Sequence, residues 1–178
     1  SIPCPEYSNN LQLWSTCRDA ISGQPAIKAK TTTYLPASFA KNEPEVYSDF
    51  LCRAYWLDVT GRTQAALVGM VFRKEAEKDI LASMETLMEN IDGQGQSIDQ
   101  LGKELIENLL ATGRHILLTD YPQTEDGLDA ETEAQLGLRP TIASYPAESL
   151  INWSVEGING RQVLTMAVLQ ETRRNPDQ

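Results

Sequence analysis

The sequence predicts an α+β fold, with helices in the first two thirds packed on a small mixed or antiparallel sheet formed by the last third. Three observations carry this. Apolar residues recur at helical spacing up to about residue 112, whereas short apolar runs bounded by turn residues cluster after it. The dipeptide Asn159-Gly160 sits between two such runs and favours two adjacent residues with positive φ, the signature of a tight hairpin. Helices first and strands late is the order of an α+β domain rather than of alternating βαβ units.

The elements follow in chain order. A first helix is expected after Tyr7, with Ser8 or Asn9 as N-cap, Leu11, Trp14, Cys17 and Ile21 on one face, and Gly23 ending it. Residues 24–42 contain Pro25, three consecutive threonines and Tyr34-Leu35-Pro36, and read as an irregular, extended arm. Residues 1–43 thus form an N-terminal helix and arm, and 44–178 the main α+β domain. Pro44 suits a first helical position, and Val46, Phe50, Leu51, Ala54 and Tyr55 share the apolar face behind it. Helical pattern resumes from Val59 to Phe72, with small residues that permit close packing. Residues 79–90 read as a short amphipathic helix through Ile80, Met84, Leu87 and Met88, closed by the turn Asp92-Gly-Gln-Gly95. Ser97 followed by Gln100 is a capping-box signature. Ile98, Leu101, Leu105 and Leu109 continue that helix to Gly113. Arg114 to Asp120 reads as a buried strand, 123–136 as an acidic surface loop with one helical turn, and Pro140 to Tyr145 as a second strand. Pro146 opens a turn, and Val155 to Glu171 forms the hairpin.

Composition limits the function. The 178 residues are 41% hydrophobic and 22% charged, as in ordinary globular domains. Fifteen Lys and Arg against twenty-five Asp and Glu give a net charge of −10, which argues against a protein that neutralises DNA phosphates over its surface. Fifteen of those acids and only four bases fall between Lys74 and Glu133. A solvated face explains this, and so does a surface that repels polyanions so that nucleic acid slides past it. The strongly apolar stretches, Ala65 to Phe72 and His115 to Leu118, are far shorter than the ~20 residues of a membrane-spanning helix. Cys4, Cys17 and Cys52 are too few and too scattered for a disulfide scaffold. A Cys17–Cys52 bridge is compatible with the sequence, but reduced thiols are the expectation. The chain does not begin with Met, and both ends read as cut points, so a fragment of a longer chain is expected.

Chemistry-bearing motifs are scarce. The single histidine, His115, lies inside an apolar strand pattern, where a core or partly buried role is the simpler account. Asn90 to Leu101 superficially matches a calcium loop, but the twelfth position, where a bidentate glutamate is needed, is Leu101. Gly93-Gln-Gly95 before a helix lacks the third glycine of a dinucleotide fingerprint and no Gly-Lys-Ser/Thr follows, so a tight turn is expected. Asp120 stands at the C-terminal end of a strand, a common catalytic place, with no base at a motif-like spacing. Capping the turn suits it better. Trp14, Trp56 and Trp153 are not interleaved with Lys or Arg as nucleic-acid stacking platforms are, and read as core or interface residues. No catalytic, cofactor-binding or metal-ligating residue is therefore assigned. An assembly component is favoured over an enzyme.

Three stretches taken in order carry a family resemblance. The first is Ala54-Tyr-Trp-Leu-Asp-Val-Thr-Gly-Arg-Thr63 leading into Leu67-Val-Gly-Met-Val-Phe-Arg-Lys74. The second is Ile91-Asp-Gly-Gln-Gly-Gln-Ser-Ile98 with its helix and Thr112-Gly-Arg-His-Ile-Leu-Leu-Thr-Asp-Tyr-Pro122. The third is Arg139-Pro140 followed by Tyr145-Pro-Ala-Glu-Ser-Leu-Ile-Asn-Trp153. Over residues 34–170 this set resembles the portal proteins of tailed bacteriophages. The resemblance implies the N-terminal, largely wing portion of a longer subunit of a head-tail connector ring at one capsid vertex, usually a dodecamer. It implies partnership with terminase, capsid and tail or adaptor proteins, DNA passing through the channel without sequence-specific binding, and no enzymatic activity or cofactor. The location implied is the virion, with assembly in the host cytoplasm. In this reading the helix to Thr112 and the following strand scaffold the wing, and acids including Glu125, Asp126 and Asp129 flank the DNA path. The competing readings are a head-completion adaptor and a small cytoplasmic α+β enzyme using Asp120 and His115.

Overall fold

A computed structural model describes residues 2–37, 43–81, 84–122, 132 and 137–171. The fold is α+β: helices α1 (Pro5–Ser22), α2 (Gln24–Ala29), α3 (Pro44–Arg53), α4 (Val59–Val71), α5 (Glu85–Glu89) and α6 (Ile98–Thr112) precede strands β1 (His115–Asp120), β2 (Thr141–Pro146), β3 (Leu150–Ile158) and β4 (Arg161–Leu169). The strands form two separate two-stranded antiparallel sheets, β1-β2 and β3-β4, rather than one sheet.

Helix α1 organises the rest. It starts earlier than Ser8 or Asn9 would allow: Cys4 is the N-cap, its sulfur accepting the Tyr7 N–H at 3.4 Å, and Pro5 occupies the first turn, where its missing N–H costs nothing. Its N-terminal end is tied to the β3 region. The Cys4 N–H donates to the Ile151 carbonyl at 3.0 Å, and the Tyr7 hydroxyl donates to the Glu148 carbonyl at 3.2 Å. Its C-terminal end meets α4, and its flank packs on α6. The helix read as an N-terminal appendage is thus central to the packing.

Gly23 ends α1 with φ 77 and at once becomes the N-cap of α2. Residues 24–33 were expected to be irregular, but hold α2 and a 3-10 turn at Thr31–Thr33. Pro25 starts a helix here instead of breaking one, and Ile27 is buried. Residues 38–42, the rest of that arm, lie outside the described residues. Asp19, nearly buried, anchors this segment by accepting from Lys30 Nζ and the Tyr34 hydroxyl, each at 2.5 Å.

Helix α3 begins at Pro44 as the sequence predicts, and α4 occupies the expected span. The expected amphipathic helix over 79–90 is reduced to Glu85–Glu89, with Ile80 outside it. Helix α6 has the full capping box, Ser97 accepting the Gln100 N–H and Gln100 accepting the Ser97 N–H, and ends at Gly113 with φ 71. No atom lies within 4 Å of a Cβ built at Gly113, so a side chain there meets conformational strain alone. Gly113→Val is expected to destabilise by roughly 1 kcal/mol or more, a few degrees in Tm. An unchanged melting temperature would refute the cap.

Strand β1 was expected to be buried, yet Leu117 and Leu118 are 44% and 42% exposed. Its apolar run reflects only β2 on one side and α6 on one face. The β3-β4 hairpin turns at Asn159 and Gly160, with φ 51 and 75, and β3 begins at Leu150, before the expected start. The core is thin. Buried apolar side chains are Trp14, Ile27, Val68, Ile91, Leu101, Ala147, Leu150 and Ile151, and none of the described large side chains is fully enclosed.

Candidate functional site

The densest polar constellation lies where α1, α6, β1 and β2 meet. Arg18 of α1 reaches across to Glu148, engaging both carboxylate oxygens with Nε and Nη2, and also donates to Asn108 Oδ1 at 3.2 Å. Asn108 in turn donates to the Glu104 carbonyl one helical turn back, at 2.9 Å. The Glu104 side chain accepts from the Ser144 hydroxyl at 2.5 Å and from Gln96 Nε2 at 2.7 Å. Ser144 stands 2.8 Å from His115 Nε2. Since Ser144 gives its one proton to Glu104, its oxygen accepts from His115 Nε2–H, which leaves Nδ1 bare. That Nδ1 is buried and without a partner.

This geometry is a structural relay. A serine nucleophile needs the imidazole to accept its proton, whereas here the imidazole donates and the carboxylate accepts. Register explains the meeting: His115 pairs with Pro146 and Leu117 with Ser144, so His115 and Ser144 are diagonal neighbours on the sheet face turned to α6. Asp120 is at the far end of β1, five residues or about 17 Å away. The two residues of the enzyme reading are therefore not brought together. Asp120 is exposed, and its Oδ1 accepts the Tyr121 N–H at 2.9 Å; residues 123–131, which follow, lie outside the described residues.

Burial holds the His115 pKa below its ordinary value; nearby Arg18 acts in the same sense and Glu104 opposes it. A histidine whose folded pKa is depressed contributes stability above its unfolded value, about 6.5, and loses it as pH falls through the folded value. Melting temperature should therefore fall between pH 7.5 and pH 5.5 more steeply in the wild type than in His115→Gln. Equal slopes would contradict this.

An open cleft of about 530 Å³ borders the relay, lined by Asp92, Gln94, Gln96, Glu104, Ala143, Ser144 and Tyr145. One wall is the loop whose glycines suggested a phosphate cradle. Three of its N–H groups are already engaged: Asp92 Oδ1 accepts from Gln94 at 2.7 Å and Gln96 at 3.0 Å, and Asn90 Oδ1 accepts from Gly95 at 2.7 Å. The two backbone bonds at Asp92 hold its carboxyl below the usual range, so it fills the anion position itself. The tight turn is what the loop forms, with Gly93 at φ 82 and Gly95 at φ 103. Among the described residues no group of three or more His, Cys, Asp or Glu side chains could hold a metal, and no helix is long and apolar enough to cross a membrane. The three cysteines are free.

Sequence reasoning missed one arrangement altogether. The Arg114 guanidinium lies between two indoles, 4.6 Å from the Trp14 ring centre and 4.3 Å from that of Trp153. Trp14 also meets Tyr7 edge-on, centroids 5.9 Å apart. Arg114 Nε and Nη2 are buried without partners, so the stacked rings are their main compensation. The three residues are 139 positions apart at the extremes, a spacing that no local pattern encodes.

Two surface features stand out beside the relay. Large apolar side chains exposed among the described residues number twenty-three, against eight buried apolar ones. Eleven of them lie on α4 (Val59, Leu67, Met70, Val71), on β1 (Leu117, Leu118) and on the hairpin (Val155, Ile158, Val163, Leu164, Met166), and the rest are spread over the other elements. Of the ten described acids between Lys74 and Asp120, only Asp92 and Glu104 are half-buried and the rest are exposed. Glu125, Asp126 and Asp129 lie outside the described residues. No protein-family model matches the chain, and no curated protein matches it.

Proposed function

We propose that the chain is the wing portion of a phage portal subunit, a non-enzymatic component of the head-tail connector ring through which DNA is packaged and ejected. The observation that carries this reading is the excess of exposed apolar side chains on α4, β1 and the hairpin over the buried core. A chain that exposes more large apolar side chains than it buries has apolar surface for a partner to cover, as the neighbours of a subunit do. The ordered resemblance over residues 34–170 supports taking those neighbours to be other portal subunits and their partners. The polar relay supports a structural role too, because its serine gives its proton to the carboxylate and not to the imidazole. In this reading the subunit assembles with copies of itself, with capsid protein at the vertex, and with terminase and tail or adaptor proteins in turn. DNA passes the exposed acids without sticking, since like charge keeps contact with phosphate unfavourable. The assembly resides in the virion and forms in the host cytoplasm.

The test is the mass of the full-length parent protein by native mass spectrometry, with electron micrographs of the same sample, alone and co-expressed with its capsid protein. A closed ring of about a dozen subunits with a central opening is expected. Monomers or dimers under both conditions would overturn the reading.

A further inference from the structure

Three strands have open edge stretches among the described residues: β1, β4 and the exposed end of β3, residues 155–158, which Glu156 blunts with charge. Strand β4 pairs only with β3, and β1 only with β2, among the described residues. The second edge of β2 is partly used, since the Ile142 N–H donates to the Ile91 carbonyl at 2.9 Å. Strand β4 is exposed from Arg161 to Ala167 and carries no charge from Gln162 to Gln170. Strand β1 is exposed from Leu117 to Asp120. A long, uncharged, exposed edge is an invitation to pair that proteins normally blunt with charge or proline.

We propose that β4 of one copy pairs antiparallel with the free edge of β1 in the next copy. The inference rests on the reading of the chain as a ring subunit and names the contact that joins neighbours. The argument is one of register. Setting Arg161 opposite Asp120 places Gln162 opposite Thr119, Val163 opposite Leu118 and Leu164 opposite Leu117. Over these four pairs, the exposed length of β1, apolar meets apolar, polar meets polar, and the terminal charges are opposite in sign; beyond them Thr165 falls opposite Ile116 and Met166 opposite His115. Neither Arg161 nor Asp120 has an ion-pair partner within the described residues, and Asp120 accepts only the Tyr121 N–H there. The contact joins two different surfaces, the head-to-tail geometry that closes a ring.

A two-fold alternative exists in which β4 pairs with itself about Met166, setting Arg161 opposite Glu171 of the second copy. Both carboxylates already accept one hydrogen bond, Glu171 from the Tyr145 hydroxyl at 2.5 Å and Asp120 from the Tyr121 N–H at 2.9 Å; the ring reading favours the first arrangement, because a two-fold contact pairs copies without propagating around a ring.

Charge exchange in the full-length protein separates these. Arg161→Glu or Asp120→Arg alone should weaken self-association about ten-fold, by facing like charges in the contact. Combining Arg161→Glu with Asp120→Arg should restore it, and combining Arg161→Glu with Glu171→Arg should not. Sedimentation over a concentration series reads the result. Restoration by Glu171→Arg, no weakening in the single variants, or no restoration in either pair would overturn the proposal. Rings that persist in Arg161→Glu would sink the strand pairing and leave the portal reading intact. Open chains held by the β4–β1 contact, with no ring, would do the reverse.

Discussion

Replacing Trp14 by alanine should destabilise the fold by about 3–5 kcal/mol, the range for removing a buried large aromatic side chain. The residue is only 6% exposed, the least accessible aromatic described, in a chain whose core has few members. Two losses add. One is the cavity left beside Tyr7, whose ring meets the indole edge-on. The other is Arg114, which keeps only Trp153 over a guanidinium that already has two buried N–H-bearing nitrogens without partners. Chemical denaturation measures the total. The conservative variant Arg114→Lys separates the parts: it keeps the charge and the Trp14 packing but loses the planar face that lies between the rings. It should cost clearly less than Trp14→Ala. If the two cost the same, the sandwich rather than burial of the indole dominates; if Trp14→Ala costs under 1 kcal/mol, α1 is not the organising helix described here.

Local signals in the sequence were read well where a residue type has one physical use. The capping box at Ser97 and Gln100, the left-handed Gly113, Pro44 at a helix start and Asn159-Gly160 in the hairpin are all found as expected, because each satisfies backbone groups or a φ angle within a few residues. Residues with two uses misled. Pro25, which the sequence places in an irregular arm, serves as a first-turn residue, and the N-cap of α1 is Cys4 rather than Ser8 or Asn9. The run His115 to Leu118 signals apolar surroundings but not what supplies them. In this chain β2 and α6 cover it only in part. The relay at His115, Ser144 and Glu104 and the stacking of Arg114 are products of tertiary register. Ser144 is 40 residues from Glu104 and 29 from His115, beyond the reach of any spacing rule.

Within α4, two glycines that look alike in sequence should respond in opposite directions. A Cβ at Gly61 would sit 2.7 Å from the Ile21 carbonyl oxygen and 2.6 Å from Asp58 Oδ1. The first contact is with backbone at the end of α1, and the second is with the carboxylate that caps α4 by accepting the Gly61 N–H at 3.0 Å. Neither neighbour can retreat without opening the α1–α4 contact or uncapping the helix. Gly61→Ala should therefore destabilise by about 1–3 kcal/mol, even though alanine is the better helix former. Gly69 has nothing within 4 Å of the same position, so Gly69→Ala should gain about 0.5–1 kcal/mol from the unfolded chain's lost freedom. Thermal unfolding of both variants decides it. The opposite signs are what close approach at one end of α4 and an open face at the other require. Matching shifts would mean that α4 is not held against α1 at Gly61, and the exposed face of α4 would then have to be redrawn with it.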